Sequence, residues 1–223
     1  MTPARTPRSD ARANRAGILD AARGALATDP HASIDAIARS AGLSRRTLYG
    51  HFDDRDALVR ELIVTGAQRF NATAASIAET DPRLALARLA TRLWNEASHV
   101  QVVAALALDE AHVAQTAQAL APLRRAVSDL VARGQDDGCF RTDLSATALA
   151  RLIEEVARTV VARVDAASPS AADLAVRVLL SVAGLSWREG DALLRAHPDV
   201  LSGPESPAAA ETAARAERAE ETE

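Results

Sequence analysis

Apolar positions recur every three or four residues from about Asp10 to about His197, the period of helices that each bury one stripe. No stretch alternates residue by residue as a half-buried strand would. Ile18, Leu19, Ala22 and Leu26 share a stripe on a helix predicted over 10–28, which Asp29-Pro30 closes. Ser33 should cap a short helix over 34–41, with Asp35 in its favourable first turn, and Gly42 should end it in a left-handed conformation. Ser44 opens another short helix to about Phe52, and Asp53 caps a long one over 53–79. Beyond Asp81-Pro82 the pattern predicts longer, more apolar helices over 83–99, 102–111, 113–135, 145–164 and 171–195.

The expected fold is therefore all-α, with about nine helices. A disordered arm (1–9) precedes a three-helix unit (10–56) that continues into the linking helix; a larger helical domain (57–200) and a disordered acidic tail (201–223) follow. Composition agrees: 48% of residues are apolar but only 3% aromatic, which suits helices packed through Ala and Leu more than a β-sandwich. The first ten residues carry no apolar stretch, and the longest apolar run, 102–108, is far too short to cross a bilayer, so a cytoplasmic protein with no membrane partner is expected. The single cysteine, Cys139, excludes an intrachain disulfide, and five scattered histidines show no metal-ligand spacing, so neither metal nor cofactor is expected.

A net charge of −4 argues against a polyanionic partner only if it is evenly spread. Residues 1–52 hold eight Arg against four Asp, so the N-terminal quarter is positive while the rest is acidic, and local sign is what DNA senses across a Debye length of roughly 10 Å.

The positive segment has an organisation of its own. Two short helices joined by Gly42-Leu43-Ser44 match a helix-turn-helix. At 100° per residue Leu48 and Phe52 of the second helix face the domain, towards Ile34, Ile37, Ala38, Leu19 and Leu26. Arg46, Thr47 and Gly50 face away, with Arg45 and Tyr49 on one flank and His51 on the other. Arg45 and Arg46 occupy a first turn, where the helix dipole disfavours positive charge; such broken rules concentrate at functional sites. An arginine there can pair with guanine O6 and N7, Thr47 can meet a thymine methyl or a phosphate, and Tyr49, His51, Ser33 and Ser44 can contact phosphates. The alternative, a merely solvated surface, is acceptable for any one of these residues but not for the set.

These residues resemble the DNA-binding domain of the tetracycline-repressor (TetR) family: Ser33, Ile37-Ala38, Ala41-Gly42-Leu43-Ser44, Thr47-Leu48-Tyr49 and His51-Phe52, with Arg55 where the family has Lys. The resemblance implies that Ser33, Arg45, Arg46, Thr47, Tyr49, His51 and Arg55 touch double-stranded DNA. Arg46 departs from the family, which often has Gly there, and this bears on the operator sequence. The resemblance further implies a homodimer on a roughly palindromic operator, and an effector pocket among the central helices, where Trp94, His99, Glu110 and Gln115 are the candidates. Trp187 and Phe140 are expected to pack the core.

Two apolar stripes stand out near the C-terminus: Leu149, Leu152, Ile153, Val156, Val160 on one helix, and Leu174, Val178, Val182, Leu185 on the next. They are either the dimer interface or an internal core face; periodicity alone does not separate these. The function expected is a transcriptional repressor released from DNA by a small molecule. The alternative is a constitutive helical DNA-binding dimer with no effector. No nucleophile, metal or phosphate-loop signature supports an enzyme.

Overall fold

The structure is a computed structural model that describes residues 7–40, 42–98, 111–165, 168 and 170–201, with side chains described from Arg15 in the first helix and to Ala97 in the fifth. The arm residues 1–6, the motif residue Ala41, the helix predicted over 102–111, the candidates His99 and Glu110, and the tail from Ser202 lie outside this range. Among the described residues all regular structure is helical: α1 Pro7–Thr28, α2 Ile34–Ser40, α3 Arg45–Tyr49, α4 Arg55–Ala75, α5 Pro82–Ser98, α6 Val113–Ala119, α7 Ala121–Asp136, α8 Ala146–Arg163, α9 Ala171–Ala183 and α10 Trp187–Ala196, with a short 3₁₀ turn Pro198–Val200. None of these helices is long and apolar enough to cross a membrane.

Element boundaries moved where local chemistry outweighed the pattern. The first helix already includes Pro7, a residue whose fixed φ suits a first turn and whose missing N–H costs nothing there. Asp54, not Asp53, caps α4, accepting the Ala57 amide at 2.6 Å. The helix predicted over 113–135 is two helices: α6 stops at Leu120, and Asn71 of α4 holds the joint by donating to the Ala119 carbonyl (2.9 Å) and accepting the Leu123 amide (3.0 Å). The helix predicted over 171–195 is also two. Gly184 ends α9 with φ +112°, and Ser186 and Glu189 form a reciprocal capping box that starts α10.

The described residues divide into two compact units, one built from residues up to Ala72 with Glu96–Leu123, the other from Thr73–Asn95 with Arg124 onward. In the first, Ile18, Leu19, Ala22 and Leu26 of α1 meet Ile34, Ile37 and Ala38 of α2, Leu48 of α3, Phe52, and Leu58, Val59, Leu62 and Ile63 of α4 in one buried cluster. The core of the N-terminal domain therefore extends past residue 56 into the first half of α4. In the second unit α8 packs on α9 and α9 on α10.

This packing splits the two apolar stripes. Leu149, Ile153, Val160 and Leu185 are buried in the chain's own core, so the internal reading of the periodicity holds for them. Val156 and Val178 are partly covered by the cluster around Trp94, Val182 is half-buried, and Leu152 and Leu174 stay open at 41% and 45% exposure. Phe140 is buried as expected, but Trp187 is 66% exposed, because the chain turns at Gly184 and sets it at the start of a new helix. Its indole carries the Arg188 guanidinium 4.5 Å from the ring centroid instead.

Candidate nucleic-acid interface

The interface is assembled from short local interactions. Gly42 takes φ +65°, a conformation in which a side chain would be strained, and turns the chain out of α2. Ser33 caps α2 by accepting the Ala36 amide at 3.2 Å, and Ser44 caps α3 by accepting the Thr47 amide at 3.1 Å. The Ser44 and Thr47 hydroxyls also bond each other at 2.8 Å, which fixes the Thr47 side chain on the outer face of α3. Leu48 is fully buried and Phe52 nearly so, and this pins the orientation of a helix only five residues long. Arg45, Arg46, Thr47, Tyr49 and Gly50 are left exposed and His51 half-exposed.

The basic side chains around this face divide by what they touch. Arg46 has no ion pair or hydrogen-bond partner among the described residues and extends from the outer face uncommitted. Arg39, in the last turn of α2, is likewise exposed and unpaired among them; nothing in the apolar pattern singled it out. Arg45 forms an ion pair with Asp35 of α2, its Nε 2.6 Å from Oδ1. Arg55 donates to the carbonyls of Ala32 (3.0 Å, from Nε) and Pro30 (2.6 Å, from Nη2), so it fastens the α1–α2 connection to α4. Arg15 pairs with Glu61, donates to the His51 carbonyl at 3.0 Å and lies over the Phe52 ring at 4.5 Å, tying α1, the end of the helix-turn-helix and α4 together. The link between Glu61 and Arg15 holds the guanidinium firmly protonated, its pKa raised chiefly by that hydrogen bond. Arg15 was invisible to the sequence reading because its role depends on a residue 46 positions away.

Residues 18–62 match the family model described as bacterial regulatory proteins, tetR family. The matched segment contains the buried framework and the whole outer face of α3. That segment, about a fifth of the chain, is similar to the tetR family of bacterial regulatory proteins. The fold of the chain is shared with solved structures of regulators. They include the TetR family transcriptional regulator PfmR from Thermus thermophilus (18% identity, TM-score 0.65, 76% of this chain and 98% of that one). The fatty acid degradation regulator FadR from Bacillus halodurans is similar at 19% identity (TM-score 0.64, 82% and 97%). So is FadR from Bacillus subtilis in complex with stearoyl-CoA, at 15% identity (TM-score 0.65, 76% and 97%). No curated protein matches this chain. In a helix-turn-helix the second helix is the one that enters the major groove, and α3 stands in that position here.

Of the other candidates, Trp94 is 5% exposed and packs with Val160, Ala171 and Ala175, which makes it a core residue of the second unit. Gln115 lies half-buried on α6. Among the described residues no group of His, Cys, Asp and Glu is placed to hold a metal ion.

Proposed function

We propose that this chain is a homodimeric repressor that leaves a roughly palindromic operator when a small-molecule effector binds its helical remainder. The observation that carries the reading is the face of α3, where Arg46, Thr47 and Tyr49 are presented on a helix whose other side, Leu48, is locked into the core. In the DNA contact set Arg46 and Thr47 read base edges, Arg45 assists, Tyr49, His51 and Arg39 meet phosphates, and Ser33, Ser44 and Arg55 hold the backbone in place. Two copies place two recognition helices about one DNA turn apart, roughly 34 to 36 Å. Leu152 and Leu174, the large apolar side chains left open on α8 and α9, are the contacts proposed for the second copy.

Effector control is supported by the similarity of fold to a regulator solved in complex with stearoyl-CoA. The effector acts only through its difference in affinity between the DNA-bound and free conformations. The test is a binding assay on the DNA flanking the protein's own gene, repeated with candidate metabolites. Retention on the DNA that one metabolite reverses is the expected result. Binding that no metabolite weakens would favour a constitutive dimer, and binding unaltered by Arg46→Ala would remove α3 from the account.

A further inference from the structure

A carboxylate beside a DNA-reading arginine is an expensive neighbour, since it repels the phosphates that the domain must approach. Asp35 is nevertheless set against Arg45 across the turn of the helix-turn-helix, Oδ1 lying 2.6 Å from Nε. That Oδ1 is inaccessible to solvent and has no hydrogen-bond donor, so the arginine's charge is its compensation. The Asp35 side chain as a whole is 28% exposed and that of Arg45 69%, so the arginine is anchored at its stem end while much of it still faces outward. The closest approach is that of Nε, and among the described residues neither terminal amino group has a hydrogen-bond partner; that end of the fork is the one that reads guanine O6 and N7. A free arginine would lose several rotamers on docking; one already held by Asp35 loses fewer.

We propose that Asp35 is a specificity-determining positioning residue: it holds Arg45 ready to read one base pair in each half-site, and exchanges some general DNA affinity for selectivity. The inference rests on the reading of α3 as the recognition helix.

Duplexes selected from a randomised library by the full-length wild-type protein supply the probes, together with their single-base variants and an unrelated duplex of equal length. Asp35→Asn, which keeps the side-chain shape, is expected to lose about tenfold in discrimination at one base-pair position per half-site while its affinity for the unrelated duplex rises. Arg45→Ala and Arg45→Lys should lose preference at that same position, and Asp35→Asn/Arg45→Ala should be no worse there than Arg45→Ala alone. A thermal melt of each variant shows whether the fold is kept, and Arg45→Lys, which retains a cation for Asp35, guards against an effect of lost stability. The inference is overturned if Asp35→Asn raises affinity for every duplex by one common factor with base preference intact, for Asp35 is then only a repulsive neighbour. It is also overturned if Arg45→Lys keeps the wild-type preference. Should Arg46→Ala also leave the selected sequence and its affinity unchanged, or should the wild type enrich no sequence, the assignment of α3 as the reading helix fails, and this inference with it.

Discussion

At the scale of single residues, arginines that look alike in the sequence have different partners. The first turn of α3 carries two cations against the helix dipole. For Arg45 the conflict is offset by Asp35, whereas Arg46 has no such relief among the described residues and is the stronger indicator of a polyanionic partner. Arg46→Ala is expected to weaken operator binding by about tenfold to a hundredfold, with thermal stability and dimerisation unchanged, as measured by fluorescence anisotropy on a labelled duplex. Arg55→Ala should behave in the opposite way. It removes two charged donors from backbone carbonyls and should cost about 1 to 3 kcal/mol of stability in a denaturant titration, with DNA affinity falling only as far as the domain loosens. The two variants separate contact from support. The sequence alone could not, because a family position marks where a residue lies and not which atoms its guanidinium meets. Leu48 and Phe52 were legible for the opposite reason: burial follows from the 100° period, which is written in the chain.

At the scale of elements, what the chain announces locally was readable and what depends on distant partners was not. Ser33, Ser44 and Gly42 act at helix ends as their chemistry predicts. The joint between α6 and α7 is marked only by Pro122 in the first turn of α7, and a side chain of α4 bonds to both sides of it. The α9–α10 break was in plain view as Gly184 followed by Ser186 and Glu189, and the continuous apolar pattern around it hid the signal. Ser186→Ala should therefore destabilise the second unit by about 1 kcal/mol in a thermal melt, leaving DNA binding intact. Glycine at the end of α7 has a different role. A Cβ on Gly134 would clash with the edge of the Phe140 ring, which folds back where the Cys139 and Phe140 amides both donate to the Gly134 carbonyl at 2.9 Å. Gly134→Ala is expected to cost about 1 to 3 kcal/mol, and Gly134→Ala/Phe140→Leu to recover part of it; equal melting temperatures for Gly134→Ala and wild type would contradict the packing described.

At the scale of the whole molecule, the acidic side of the charge balance is a stabilising network of its own. Hydrogen bonding to Arg83 holds the Asp81 carboxyl below the usual carboxylate range, and Arg195 and Arg88 do the same for Asp191 and Asp199. Groups depressed in the folded state stabilise it fully above their ordinary pKa and release that contribution as pH falls through the lower folded value, so thermal stability should decline below about pH 4, more steeply in low salt. Assembly is tested separately. Leu152→Asp places a charge on the open apolar side chain of α8, and sedimentation equilibrium should then show a monomer that still melts cooperatively; an unchanged dimer would exclude that face. Leu152 and Leu174 could not be picked from the stripes by sequence, because their neighbours Leu149 and Ile153 share the same period and are consumed by intrachain packing.

The unexpected exposure of Trp187 gives the protein two built-in fluorophores of opposite character. Trp94, enclosed in aliphatic side chains, should emit at short wavelength and resist iodide, while Trp187 should emit further to the red and be quenched readily, the more so because its neighbour Arg188 attracts the anion. Selective quenching therefore leaves Trp94 as a reporter of the interior of the second unit, with no label attached.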